Sequence, residues 1–223
     1  MRIHDDFSCT VEVVPDEHVW VPSPQPGVSR MMLDRMGAEH ARATSLVRYE
    51  PGASFAAHSH PGGEEILVLD GTFSDESADY PAGWYLRNPA GSAHQPHSAT
   101  GALIFVKLWQ MDADDAACVR LDTRVPANWH LQHGRKVCEL HAHGREQVRL
   151  IRVPAGAALF AEAIPSAEVL VLSGAIQGLR RTLGPTGWLR LPQGHYPTVC
   201  AGEQGATVWV KTGHLTREVG GRA

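Results

Sequence analysis

The sequence predicts an all-β protein of two tandem barrels, and three observations carry that prediction. Apolar stretches are short, rich in Val, Ile, Leu and aromatics, and interrupted about every eight to twelve residues by Gly, Pro, Asp or Ser, the rhythm of a sandwich or barrel. The 223 residues include 22 glycines and 15 prolines, enough punctuation for many turns, while 43% apolar content is ample for a core. The chain also repeats itself. Glu65-Ile66-Leu67-Val68-Leu69-Asp70-Gly71 is answered by Glu168-Val169-Leu170-Val171-Leu172-Ser173-Gly174, Gly83-Trp84 by Gly187-Trp188, Pro89-Ala90-Gly91 by Pro192-Gln193-Gly194, and Gly101-Ala102 by Gly205-Ala206. The offset stays at 103 or 104, which describes two copies of one supersecondary unit.

In chain order, Trp20 opens the first unit, and strands are expected at 45–49, 66–69, 84–87 and 103–108, each an apolar run closed by turn residues. The acidic stretch Asp112-Ala113-Asp114-Asp115 reads as the linker, dividing the chain into domains 1–114 and 115–223. One helical turn is expected there, over 112–119. Trp129 opens the second unit as Trp20 opens the first, with strands at 148–153, 169–172, 188–191 and 207–212.

Composition excludes several functions. The net charge is −4 and the Lys and Arg residues are scattered, so there is no basic footprint for direct nucleic-acid binding. No apolar run approaches the ~18 residues of a membrane span, and the start Met1-Arg2-Ile3-His4-Asp5-Asp6 lacks the features of a secretory signal, so a cytoplasmic protein is expected. Cys9, Cys118, Cys138 and Cys200 form no C-x-x-C pair, which points to reduced thiols rather than a zinc ribbon or a redox dithiol. Thirteen histidines are the one excess.

Four residues stand in a pattern that chemistry can use. His58 and His60 are two apart in an extended segment, so both point to one face. Glu64 follows across Pro61-Gly62-Gly63 with the parity to rejoin that face, and His94 follows the turn at Pro89-Ala90-Gly91. Three imidazoles and a carboxylate suit a borderline divalent cation. Alone, an H-x-H pair is more often two unrelated loop residues than a ligand pair.

The pattern is longer than H-x-H. Gly52, His58-x-His60, Glu64 and Gly71 resemble the first cupin motif in both identity and spacing, and Gly83, Pro89-x-Gly91 and His94 resemble the second, with Ser98 where that motif ends in Asn. The resemblance implies the cupin barrel, a jelly-roll or double-stranded β-helix, with a metal held by His58, His60, Glu64 and His94. The stretch from His58 to Gly71, followed by Phe73-Ser74-Asp75-Glu76, Asp79-Tyr80-Pro81-Ala82-Gly83 and Arg87-Asn88-Pro89, is similar to the ChrR-type cupins, so the chain reads as a bicupin of that type. That family includes the C-terminal domain of the ChrR anti-sigma factor, which binds zinc and takes part in relaying an oxidative signal. This chain holds no H-x-x-x-C-x-x-C element of the kind that grips a sigma factor in that family. Between the adjacent glutamates, motif spacing selects Glu64 whereas the repeat aligns Glu65 with Glu168. Glu64 is favoured, because alternation turns Glu65 outward to brace a neighbouring strand.

In the second unit Glu162 and Ile164 stand where His58 and His60 do, and Pro197, with His195 nearby, stands for His94. That half is expected to stabilise the first or close its mouth. His141-Ala142-His143 imitates H-x-H but aligns with residues 37–39, a turn, and His97, His130 and His133 read as surface residues, His97 standing three residues past His94, in reach of bracing it. Trp84 and Trp188 read as core.

Three functions follow as expectations. The first is a zinc protein in transcriptional or oxidative-stress signalling, with an extracytoplasmic-function sigma factor or another regulatory partner. The second is a cupin dioxygenase using Fe2+ or Ni2+ on a chelating substrate such as a diketone, with Glu65 or His97 moving a proton if either faces the pocket. The third is a binding module in which the metal fixes a small carboxylate ligand. Mn2+ also suits the donor set, and either a monomer or a homodimer is compatible with two barrels in one chain.

Overall fold

The computed structural model describes residues 1–37 and 41–215. Strict alternation builds its first unit. On the strand Glu64–Ser74, Ile66 and Val68 point to one side and pack with Val28, Val47, Tyr49, Phe73, Leu86, Ile104 and Val106 into a buried core. The strands Arg2–Ile3, Val28–Met36, Arg42–Tyr49, Ala102–Leu108, Glu64–Ser74, Trp84–Asn88 and Val119–Asp122 hydrogen-bond in that order, all antiparallel. A separate short ladder pairs His58–His60 with Ser92–His94.

The second unit repeats the order. Arg135–His143, Glu146–Val153, Cys200–Thr212, Ala167–Gln177, Trp188–Leu191 and Val11–Val13 are neighbours in that sequence. Its core gathers Val153, Leu159, Phe160, Ile164, Val169, Val171, Ile176, Leu189, Val208 and Val210. The repeat extends to charge. Glu65 lies opposite Arg87 and Lys107 in the strand register, and Glu168 lies opposite Arg190 and Lys211. All six side chains are buried. Buried charges persist only when paired: Arg87 bridges Glu65 at 3.2 Å and Asp115, while Lys211 meets Glu146 at 3.0 Å. Arg48 stacks on Trp20 at 4.1 Å and Arg152 on Trp129 at 4.4 Å, so the two opening tryptophans serve matching roles.

Glycine marks the same corner in both units. Gly71 has φ +67° and Gly174 φ +70°, and a Cβ on either would stand 2.1 Å from the carbonyl oxygen of Gly101 or Gly205. Only glycine meets both demands at once.

Three expectations are corrected. The division does not fall at 114/115: one unit is Met1–Asp5 with Val19–Val125, and the other is Asp6–His18 with Pro126–Ala223. The cause is strand pairing, since Val119–Asp122 pairs with Trp84–Asn88 while Val11–Val13 pairs with Trp188–Leu191. Nor is there a helix over 112–119. A single turn closes from the Asp115 N–H to the Asp112 carbonyl, and Asp115 Oδ1 then accepts the Ala117 N–H at 3.2 Å, a local bond that competes with helix formation. The described helices are the short 3-10 turns Pro15–Glu17 and Pro126–Asn128, and among the described residues no helix is long and apolar enough to cross a membrane. His141 and His143 lie on the strand Arg135–His143 rather than in a turn.

Candidate metal centre

The short ladder sets His94 directly opposite His58 and Ser92 opposite His60. Since His58 and His60 share a face, three imidazoles meet over one spot, their ring centroids 4.7 to 5.3 Å apart. One nitrogen from each lies within 4.8 Å of the others. Glu64 arrives from the start of the next strand, its Oε2 3.4 Å from Nε2 of both His60 and His94. His60, Glu64 and His94 are each 6% exposed, whereas His58 sits at the exposed rim.

This arrangement fits a metal ion. Nε2 of His60 and of His94 are buried and have no hydrogen-bond partner, an arrangement that costs about 1–3 kcal/mol per group unless something binds there. Donors about 2.1 Å from one tetrahedral ion stand about 3.4 Å apart, the separation seen from Glu64 to both imidazoles. Burial holds His60 down at about 4, with the neighbouring His58 adding to the effect, and it lowers His94 too, which favours the neutral form that a metal requires. Burial also pushes the Glu64 carboxyl up, opposed by His94 and by its bond from Asn88.

Supporting residues orient the donors. Asn88, cross-strand from Glu64, donates from Nδ2 to Glu64 Oε2 at 3.0 Å. Its Oδ1 accepts from Arg120 Nη2 at 2.7 Å, and Arg120 also donates to the Tyr80 hydroxyl and the Arg87 carbonyl. His58 is oriented by Nδ1 against the Ala56 carbonyl at 2.9 Å, and His94 Nδ1 faces Asp75 Oδ2 at 3.9 Å. Tyr49, Phe55 and Phe73 form an edge-to-face group that reaches His58 and His94. Burial, then the Glu64 charge, raises the Tyr49 phenol above its ordinary value.

Of the residues singled out in sequence, His58, His60, Glu64 and His94 converge. Glu65 does not: it leaves the opposite face and engages Arg87. His97 turns its Nδ1 to the Gln95 carbonyl at 3.4 Å, so neither residue is set to move a proton in the pocket. Ser98 donates to the Thr72 carbonyl at 2.6 Å and serves as a strand tie. In the sequence Asn88 and Asp75 stand out only as part of a motif, and Arg120 does not stand out at all. The signal for Arg120 was the alternation Val119-Arg120-Leu121-Asp122, a short half-buried strand beyond the supposed linker.

No curated protein matches the sequence. Among solved structures, a candidate dioxygenase from Nostoc punctiforme superposes with a TM-score of 0.70 at 16% identity, covering 98% of this chain and 84% of that one. A bacterial pirin from Escherichia coli in complex with nickel(II) gives 0.65 at 13%, covering 92% and 98%. A cupin 2 conserved barrel domain protein from Leptotrichia buccalis gives 0.58 at 14%, covering 86% and 91%. These likenesses establish the fold as that of the cupins. Residues 10–112 match the family model described as the ChrR Cupin-like domain, and it is within this stretch that all four converging side chains lie.

Proposed function

We propose that this chain is a two-barrel cupin of the ChrR type whose first unit binds one zinc ion through His58, His60, Glu64 and His94 and acts in transcriptional or oxidative-stress signalling in the cytoplasm. The observation that carries the reading is the convergence of three imidazole nitrogens within 4.8 Å with a buried carboxylate oxygen 3.4 Å from two of them. A bound divalent ion would supply a fixed positive charge that neutralises Glu64 and locks the two short strands to the barrel wall. Around it, Asn88 and Arg120 hold the carboxylate in place, and the aromatic group at Tyr49, Phe55 and Phe73 keeps one side of the site dry. The partner in this reading is an extracytoplasmic-function sigma factor or another regulatory protein. Elemental mass spectrometry of the untagged protein, purified without chelator beside a His58→Ala, His60→Ala double variant, tests it. The expected result is nearly one zinc per chain, lost in the variant, with a regulatory partner retained in mild co-purification.

A second reading rests on the exposure of His58, which leaves the rim of the cluster open to a small molecule. In that reading the metal is Fe2+, Ni2+ or Mn2+ and the protein is a dioxygenase acting on a chelating substrate such as a diketone. Iron or nickel in the same elemental assay, followed by oxygen uptake with diketones, would favour it over the zinc reading.

A further inference from the structure

The second unit has an open cavity of about 470 Å³ where the first has its histidine cluster. Register identifies the place. Ala167 faces Leu191 and Thr212 as Glu64 faces Asn88 and Leu108, so alanine stands in the position of the carboxylate. Ile164, buried, takes the position of His60. With Ile164 in the place of an imidazole the barrel mouth is open rather than filled, and the volume falls in the range that small organic ligands occupy, about 300–1,000 Å³.

The lining is divided by chemistry. Val137, Ile151, Phe160, Ile164 and Val210 give an apolar floor and wall. Phe160 is fixed because Arg135, another lining residue, donates to the neighbouring carbonyls of Leu159, at 2.8 Å, and Ala158. At the polar side stand Arg149, Gln147 and Thr212. Arg149 spends its Nε on Glu139 Oε2 at 2.8 Å, which steadies the guanidinium and leaves its terminal nitrogen pair, the fork that takes a carboxylate side-on. Against the two guanidiniums the lining offers one carboxylate, Glu162, at the exposed edge.

We infer that the barrel mouth of the second unit is a metal-independent binding site for a small organic carboxylate carrying an apolar body, such as an arene or a branched chain. The apolar body lies against Phe160, Ile164 and Ile151, and the carboxylate meets Arg149, with Gln147 and Thr212 as further donors. The site is separate from the metal centre and makes no use of it.

Saturation-transfer NMR on the full chain in EDTA, with benzoate as probe and benzamide as its uncharged counterpart, tests this. Benzoate should receive saturation, equally in the parent chain and in His58→Ala, and benzamide should bind about tenfold more weakly. Arg149→Gln, a partly exposed substitution with little to disturb in the fold, should weaken benzoate about tenfold and bring the two probes level. Ile164→Trp, which fills the cavity, should abolish both signals with circular dichroism unchanged. Absence of saturation transfer to benzoate, phenylacetate and isovalerate at about 5 mM would overturn the inference, since that concentration reveals even millimolar affinity. Binding seen only when EDTA is omitted, binding lost in His58→Ala, or indifference to both Arg149→Gln and Ile164→Trp would overturn it equally, by moving the site elsewhere. Metal content measured on the same samples keeps this result distinct from the fate of the zinc reading.

Discussion

Glu64 and Glu65 are adjacent in the chain, and their carboxylates leave the strand on opposite faces. Glu64 approaches His60 and His94 at 3.4 Å, while Glu65 meets Arg87 at 3.2 Å. The two glutamates should therefore fail in different ways. Glu64→Gln is expected to cut zinc affinity by at least the 10–100-fold typical of disturbing a ligand's support, with little change in melting of the metal-free protein. Glu65→Gln is expected to leave zinc stoichiometry intact and lower stability instead. Competition with a chromophoric chelator, beside urea unfolding of both variants, separates them.

Arg87 carries the reverse prediction. Its guanidinium is fully buried between two carboxylates that are themselves nearly inaccessible, Glu65 at 3% and Asp115 at 4%. Arg87→Ala leaves buried negative charge without its bridging partner, which costs about 3–5 kcal/mol. Urea titration should show the loss as a lower midpoint, or as insoluble expression at 37 °C.

Arg120 tests support at a distance. It touches none of the four candidate ligands but fixes Asn88, which donates to Glu64. Arg120→Ala and Asn88→Ala should each weaken zinc binding about 10–100-fold, and the double variant should lose little more than either alone, because both act through one carboxylate. Additive losses would show that the two residues act independently.

The paired corners make a symmetrical forecast. Gly71→Ala and Gly174→Ala each force a side chain into a left-handed backbone, worth about 1–3 kcal/mol by itself, and into a carbonyl 2.1 Å away. Both should lower the thermal midpoint, and only Gly71→Ala should also reduce zinc retention.

Thiol chemistry reports on the second unit. Cys138 is buried, and burial, helped by the Glu139 charge, pushes its thiol up to about 11, whereas Cys9 and Cys118 are exposed. An aromatic disulfide reagent at pH 8 should modify Cys9 and Cys118 rapidly and Cys138 only when the unit opens. The folded state keeps the Cys138 proton where the unfolded chain releases it. Its contribution to stability is thus whole below about pH 9 and disappears as pH rises from about 9 to about 11. Cys138→Ser should remove that decline.

Much of this was legible in the sequence because β structure writes its parity into every second residue. The strands at 45–49, 66–69, 84–87 and 103–108 all lie within observed strands, and so do their four counterparts in the second unit. The same parity, applied to His58, His60 and Glu64, gave a shared face. Partner choice was not legible. Nothing in Val11-Glu12-Val13 says that it will pair with Trp188–Leu191, and an acidic tetrapeptide looks like a linker whether or not the next strand returns to the barrel it has just left. Asp115 appeared to be linker charge because its burial beside Arg87 depends on residues far away in sequence. Arg120 lies beyond the boundary that the acidic stretch suggests, and a cavity lined by residues such as Ile164 and Phe160 leaves no motif at all.

The pairing of Val11–Val13 with Trp188–Leu191 has a consequence for how the chain is made. Val11 meets Arg190 across the ladder, so a strand made before the first unit waits for one made after it. Val19–Val125 can close with its own strands while synthesis continues, but the second unit lacks an edge until Val11–Val13 is drawn in from the far side of that segment. Such a long loop closes slowly, and the strand Trp188–Leu191 meanwhile presents an unpaired edge to other nascent chains. A bulky segment placed directly before Val11 would burden this step, whereas the first unit and its histidine cluster would already be formed.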